Sequence, residues 1–150
     1  MNNKKTISKE IYFEAAHLLP NHEKGCKNLH GHSYKFKATI SGPSTEPYGM
    51  IMDYTKLKQA MEAVAPDHMY LHFSGNEISE DIVNVLRKYG LKYMTFSYPT
   101  SAENMAPELA QLLEEYIHNE LGLKDITVED VELHETHNSA CNTGNDWRNN

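Results

Sequence analysis

His17, Cys26, His30 and His32 crowd into one short stretch near the start of the chain, FEAAHLLPNHEKGCKNLHGH. Histidines at i and i+2 on an extended segment project from the same face, because side chains alternate along a strand. His30 and His32 are therefore placed to share one metal ion, with His17 supplying a third nitrogen from a neighbouring strand. Three imidazoles with no obligatory fourth protein ligand describe a catalytic zinc site, whose open position takes water or substrate. A lone histidine on an apolar strand face is more often a hydrogen-bonded core residue. Two side by side need partners for several ring nitrogens, and His17 as a third tips the balance to zinc, a Lewis acid for a hydroxyl or carbonyl oxygen.

Cys26 is open to three readings: a fourth ligand that closes the site, an inert buried thiol, or a base or nucleophile whose pKa is lowered by zinc and nearby lysines. Its neighbours Gly25 and Lys27 put it on a polar loop, which disfavours the inert reading. Asp67-His68 sets a carboxylate beside an imidazole that it can orient and support when protonated. Glu135 shares the core-facing parity of Val131 and Leu133, so it needs a donor. A ligand with two parallel N–H groups suits it, as does a lysine or arginine elsewhere in the fold. Ser101 and Glu103 most simply begin a helix, with an acidic group in its first turn.

These side chains sit on elements readable from hydrophobic periodicity. Residues 5–17 alternate, with Ile7, Ile11, Phe13, Ala15 and His17 on one face. A turn-rich loop through Pro20, Asn21 and Gly25 follows, and alternation returns with His32, Tyr34, Phe36, Ala38 and Ile40. A short strand is expected at 50–52. Asp53 is expected to cap a helix carrying Leu57, Met61 and Val64, ending near Pro66. A short helix from Ser79 to Tyr89, a strand from Lys92 to Ser97, a long helix capped by Ser101 and a last strand from Ile126 to Thr136 complete the order. The tail after it reads as irregular. This succession predicts an α+β fold, a mainly antiparallel sheet with its helices on one face. Its open edges favour oligomerisation.

The 150 residues, 17.2 kDa, fit a single domain over 1–150. No apolar run approaches the roughly 20 residues of a membrane span, the N-terminus lacks the apolar stretch of a secretion signal, and two cysteines make no disulfide framework. A cytoplasmic location is the expectation. The net charge of −7 argues against general nucleic-acid affinity. Lys24, Lys27, Lys35 and Lys37 nevertheless surround the His/Cys stretch, a setting suited to a small anionic substrate, although a solvated lysine-rich strand face accounts for any one of them equally well.

FEAAH at 13–17, CKNLHGH at 26–32, GMIMDYTKLK at 49–58, DHMYL at 67–71, SAENMA at 101–106 and Glu135-Thr136 occur in one order along nearly the whole chain. In this combination the chain resembles the 6-pyruvoyl-tetrahydropterin synthase / 6-carboxy-tetrahydropterin synthase family. The spacing of Cys26 to His30 is most like the bacterial 6-carboxy branch, which serves queuosine and other deazapurines. The resemblance implies a tunnelling (T-fold) subunit, an antiparallel four-stranded sheet with two main helices on one face, with trimers closing a β-barrel and commonly doubling to hexamers. It implies zinc on His17, His30 and His32, Cys26 as base, and Asp67 and His68 as a proton relay. Glu135 would anchor a pterin ring, with Ser101 and Glu103 also facing substrate. The implied substrate is 7,8-dihydroneopterin triphosphate, which loses triphosphate and, in the carboxy branch, acetaldehyde. The implied redox change is internal to the substrate, and no glycine-rich nucleotide signature is present. The chain departs from the family pattern at His72, usually Asn, and at Ser101, usually Thr; 73–98 match poorly.

Overall fold

The computed structural model describes residues 4–149, so the termini of the expected domain, Met1–Asn3 and Asn150, lie outside it. Two long strands dominate. β1 (Lys4–His17) and β2 (His30–Pro43) run antiparallel, from Lys4 opposite Pro43 to His17 opposite His30. The alternation expected from sequence is realised as burial: Ile11, Phe13, Ala15 and His17 are enclosed while Glu10, Tyr12 and Glu14 face outward. β5 (Thr127–Thr136) adds to β2 antiparallel, with a shift in register beside Thr39 and Ile40.

The buried face is covered by α1 (Tyr54–Val64) and α3 (Ala102–Asn119). Asp53 caps α1 as expected, its Oδ1 accepting the Thr55 N–H at 2.6 Å. Leu57 and Met61 of α1 and Leu109, Leu113 and Ile117 of α3 are fully enclosed against Phe36, Ile40 and Val131. Each such side chain contributes about 1.5–3 kcal/mol through burial. The two main helices thus lie on one face, as the pattern implied.

The sheet itself differs from the four-stranded expectation. It has six strands in the order β4-β3-β1-β2-β5-β6. β3 (Met69–Phe73) joins β1 in parallel, and β4 (Tyr93–Phe96) joins β3 in parallel. Tyr70, Leu71 and His72 are all buried, so β3 carries no alternation that would have marked it as a strand. Residues 50–52, expected as a strand, make only an isolated bridge from Met50 to Thr45.

A third helix, α2 (Glu77–Lys88), packs beside β3. Leu71 joins the main core, whereas Tyr70 and His72, of opposite parity, engage α2. The Tyr70 hydroxyl lies 2.9 Å from Ser79 Oγ, and His72 Nε2 lies 3.1 Å from Glu80 Oε1. α2 therefore lies against the opposite face of the sheet at β3. His72 also meets Thr95 Oγ1 at 3.1 Å through Nδ1, so it ties β3 to both α2 and β4. Its place in the fold is structural.

The tail is ordered rather than irregular. β6 (Ser139–Asn142) pairs with β5, and a 3-10 segment (Gly144–Asn149) follows. Trp147 is 8% exposed and donates its indole N–H to the Val128 carbonyl at 3.0 Å, while Arg148 bonds Glu114 at 2.5 Å and stacks over the Trp147 ring. Trp147→Ala is expected to lower the free energy of unfolding by about 3–5 kcal/mol, read by urea denaturation.

Candidate metal centre

The β1–β2 register brings His17 and His30 directly opposite each other, with His32 one pleat further along β2 on the same face. The ring centroids lie 4.7 Å apart for His17–His30, 4.8 Å for His30–His32 and 5.2 Å for His17–His32. Hydrogen bonds set the tautomers of two of the rings. His17 Nδ1 is 2.9 Å from the Thr100 carbonyl oxygen, and His30 Nδ1 is 2.7 Å from that of Asn28. A carbonyl only accepts, so each Nδ1 carries a proton, and the neutral form of each ring has its lone pair at Nε2. The Nε2 atoms of all three rings are buried, and those of His17 and His30 have no hydrogen-bond partner.

Glu135 enters the same space from the end of β5. Its Oε1 lies 2.7 Å from His32 Nε2 and 3.5 Å from His17 Nε2. The contact with His17, followed by the charge of His32, holds the Glu135 carboxyl below the usual carboxylate range. Burial lowers the pKa of His32; Glu135 opposes that shift while His17 and His30 add to it. One donor atom from each of His17, His30, His32 and Glu135 falls within 4.8 Å of all the others. Buried, unpartnered nitrogens converging with a carboxylate fit a divalent transition metal, and the imidazole-rich set suits zinc. Carbonyl acceptors behind His17 and His30 supply the outer support that such ligands need.

Tyr34 lies beneath this group, fully buried and stacked on Phe13 at 4.9 Å, with its ring edge-on to His17 and His32. Burial, with the nearby Glu135 charge, pushes its phenol pKa upward and keeps it protonated. Neither Tyr34 nor Thr100 stands out in the sequence as a site residue. Tyr34 reads as one more apolar position of β2, and Thr100 only as the residue before a helix cap.

None of the remaining expected residues joins this group of donors. Cys26 is half-buried on a short turn, Gly25–Lys27, between β1 and β2, where its carbonyl accepts the Leu19 N–H at 2.8 Å. Its thiol is not among the converging donors. Asp67 and His68 are pinned to the end of β1: Asp67 Oδ1 accepts the Glu14 N–H at 2.9 Å, and the His68 N–H donates to the Glu14 carbonyl at 2.7 Å. His68 has φ 54°, a left-handed backbone uncommon outside glycine. Its side chain is 74% exposed, with Nε2 3.7 Å from Asp67 Oδ2.

Two cavities flank His32 and share Gly31, His32 and Ser33. One, of about 620 Å³, is lined also by Glu14, His68 and Tyr70. The other, of about 470 Å³, is lined by Tyr12, Lys35, His134, Glu135 and Thr136. Of the four lysines singled out by sequence, only Lys35 lines either cavity. Ser101 is the N-cap of α3 but makes no side-chain cap bond, and Glu103 lines a separate cavity with Tyr98 and Trp147. Within one chain, Glu103 is not brought to the histidines.

Fold and site together define an α+β protein built around a buried three-imidazole pocket with the donor set of a metal centre. Residues 6–146 match the family model described as 6-pyruvoyl tetrahydropterin synthase. Over 141 residues the chain is 33% identical to the 6-carboxy-5,6,7,8-tetrahydropterin synthase of Haemophilus influenzae, covering 90% of this chain and 95% of that protein. A protein of the same name from Rickettsia typhi is 30% identical over 106 residues, 68% of this chain and 75% of its own. Among solved structures, an uncharacterized protein from Wolinella succinogenes superposes with a TM-score of 0.73 at 20% identity, covering 95% of this chain and 98% of its own. The 6-pyruvoyl tetrahydropterin synthase of Caenorhabditis elegans gives 0.64 at 22% identity, covering 94% and 95%. These two likenesses show the fold. The chain belongs to the 6-pyruvoyl tetrahydropterin synthase family, and resembles its bacterial members named as 6-carboxy synthases.

The donor geometry separates two variants. His30→Ala is expected to lose its bound zinc, whereas Cys26→Ala retains about one equivalent per chain, as an open three-histidine site requires. Elemental analysis of the purified proteins measures both.

Proposed function

We propose that this protein is a zinc-dependent 6-carboxy-5,6,7,8-tetrahydropterin synthase. It converts 7,8-dihydroneopterin triphosphate to 6-carboxytetrahydropterin with release of acetaldehyde and triphosphate, in a route to queuosine and related deazapurines. The observation that carries this reading is the convergence of the His17, His30 and His32 nitrogens with Glu135 within 4.8 Å of one another, in a chain whose curated relatives bear that activity in their names.

His17, His30 and His32 would hold the ion. Zinc supplies Lewis acidity toward the oxygens of the substrate side chain. Glu135 accepts the paired N–H groups of the pterin ring, for which a carboxylate is the matching partner. The cavity of about 470 Å³ beside it is of a size for a small ligand. Cys26 removes a proton from the substrate side chain as base. His68, oriented by Asp67, carries protons to and from the reacting carbons, and its exposure leaves it free to reach substrate. Ser101 and Glu103 face the substrate as a hydroxyl-x-Glu pair, and His68 reaches it across the interface between subunits.

The single domain works as a trimer or a dimer of trimers whose sheets continue into a barrel. β4 and β6 end the sheet on either side, and such edges favour further pairing. The enzyme acts in the cytoplasm on a small molecule. Its net charge of −7 disfavours nucleic acid as a partner, and no described helix is long and apolar enough to cross a membrane. A second reading, 6-pyruvoyl-type activity, draws on the description of the matching family model.

Products decide between them. Incubation with 7,8-dihydroneopterin triphosphate is expected to yield 6-carboxytetrahydropterin and acetaldehyde in equal amounts, by chromatography with mass detection. A retained three-carbon side chain instead establishes the pyruvoyl reading. Cys26→Ala is expected to slow turnover by roughly 10²-fold or more, the scale of losing a positioned acid or base.

A further inference from the structure

α2 has two apolar faces, and only one of them is packed. Val83 is enclosed against the sheet and Leu86 is half-buried beside it. Ile78, Ile82, Val85 and Tyr89 follow at intervals of four, three and four residues, which aligns them in a separate row along the helix. Ile78, Val85 and Tyr89 are 55%, 56% and 66% exposed, and Ile82 is half-buried. A polar row runs alongside: Glu77, Asp81, Asn84 and Lys88, all exposed, with acid at its start and base at its end. Among the described residues neither Glu77 nor Lys88 is in a salt bridge. The helix macrodipole accounts for those charges but leaves the apolar row in water.

A second copy of the same helix accounts for both rows. In an antiparallel pair related by a two-fold axis, each contact is made twice, with the roles of the copies exchanged. Ile78 then meets Tyr89 of the partner subunit, and Ile82 meets Val85 of the partner subunit. The polar row reverses onto itself in the same way, so Glu77 faces Lys88 of the partner subunit and no like charges oppose. A membrane surface is a poorer match. Glu77, Glu80 and Asp81 outnumber Arg87 and Lys88 on α2, whereas a helix lying on a membrane is rich in cations.

We propose that α2 is a contact between two copies of this chain, the helices packed antiparallel across a two-fold axis. It uses a helix face rather than the sheet edges at β4 and β6, so it stands or falls apart from the barrel. It is equally independent of the metal centre and of the reaction.

Sedimentation velocity over a range of concentrations reads this contact. The wild type is expected to contain an even number of chains, and Val85→Glu to sediment at half that mass. The dissociation constant should rise by about thirtyfold or more, the scale of a central interface residue. Glu77→Lys and Lys88→Glu are each expected to weaken association severalfold, and the double variant to restore it. The two residues lie about 16 Å apart along the helix, too far to pair within one chain. Both reversals also oppose the macrodipole, so a merely structural role predicts the double variant to be the weakest. A wild type with an odd number of chains, or a mass unaffected by Val85→Glu, overturns the proposal; a row covered by some other protein gives that result. Should Val85→Glu fail to fold by circular dichroism, the charge series decides alone: single variants without loss, or a double variant without recovery, overturn it.

Discussion

The register of β1 on β2 is the constraint on which the site depends. Because His17 pairs with His30, three imidazoles meet at one end of a two-stranded ladder without any loop having to carry them. A shift of one residue would turn His17 out of the core together with Ile11 and Phe13. The site therefore shares its specification with the hydrophobic face. Burial of Phe13, Phe36 and Ile40 locks the pairing, and the pairing aims the ligands.

The orphaned nitrogens carry a cost that this packing has to bear. Buried polar atoms without partners are rare, and each typically costs about 1–3 kcal/mol. The Nε2 atoms of His17 and His30 and the Tyr34 hydroxyl lie together in that condition at one end of the core. A fold selected for stability alone would satisfy or replace them. Their concentration at one spot is the physical signature of a place prepared for something else, and the neighbouring carboxylate gives that something a positive charge.

Much of this was legible before any coordinates, for identifiable reasons. β1, β2 and β5 each bury one face, so alternation marks them and puts His17, His30, His32 and Glu135 on the core side. Asp53 marks the start of α1 by its own side-chain chemistry. β3 was hidden because α2 covers the face that would otherwise have been polar, leaving an unbroken buried run. The ordered tail was hidden because what holds it, Trp147 on Val128 and Arg148 on Glu114, spans long separations that no local pattern expresses. Strand parity shows which way Glu135 points but not how far it reaches, so its approach to the histidines appeared only in three dimensions. Thr100 was invisible for a related reason: its carbonyl, which no side-chain pattern reports, is what orients His17.

That carbonyl has a thermodynamic consequence. Thr100 stands just ahead of α3, whose Leu109, Leu113 and Ile117 are sealed into the core. Aiming His17 and docking α3 are thus coupled, and coupling between equilibria is reciprocal. Whatever free energy an ion gains from a ring held by Thr100, the docked helix gains from the ion. An ion held there and the integrity of the helical layer would be two readings of one linked equilibrium, so looseness in a packing residue distant from the histidines would surface as weaker retention of the ion.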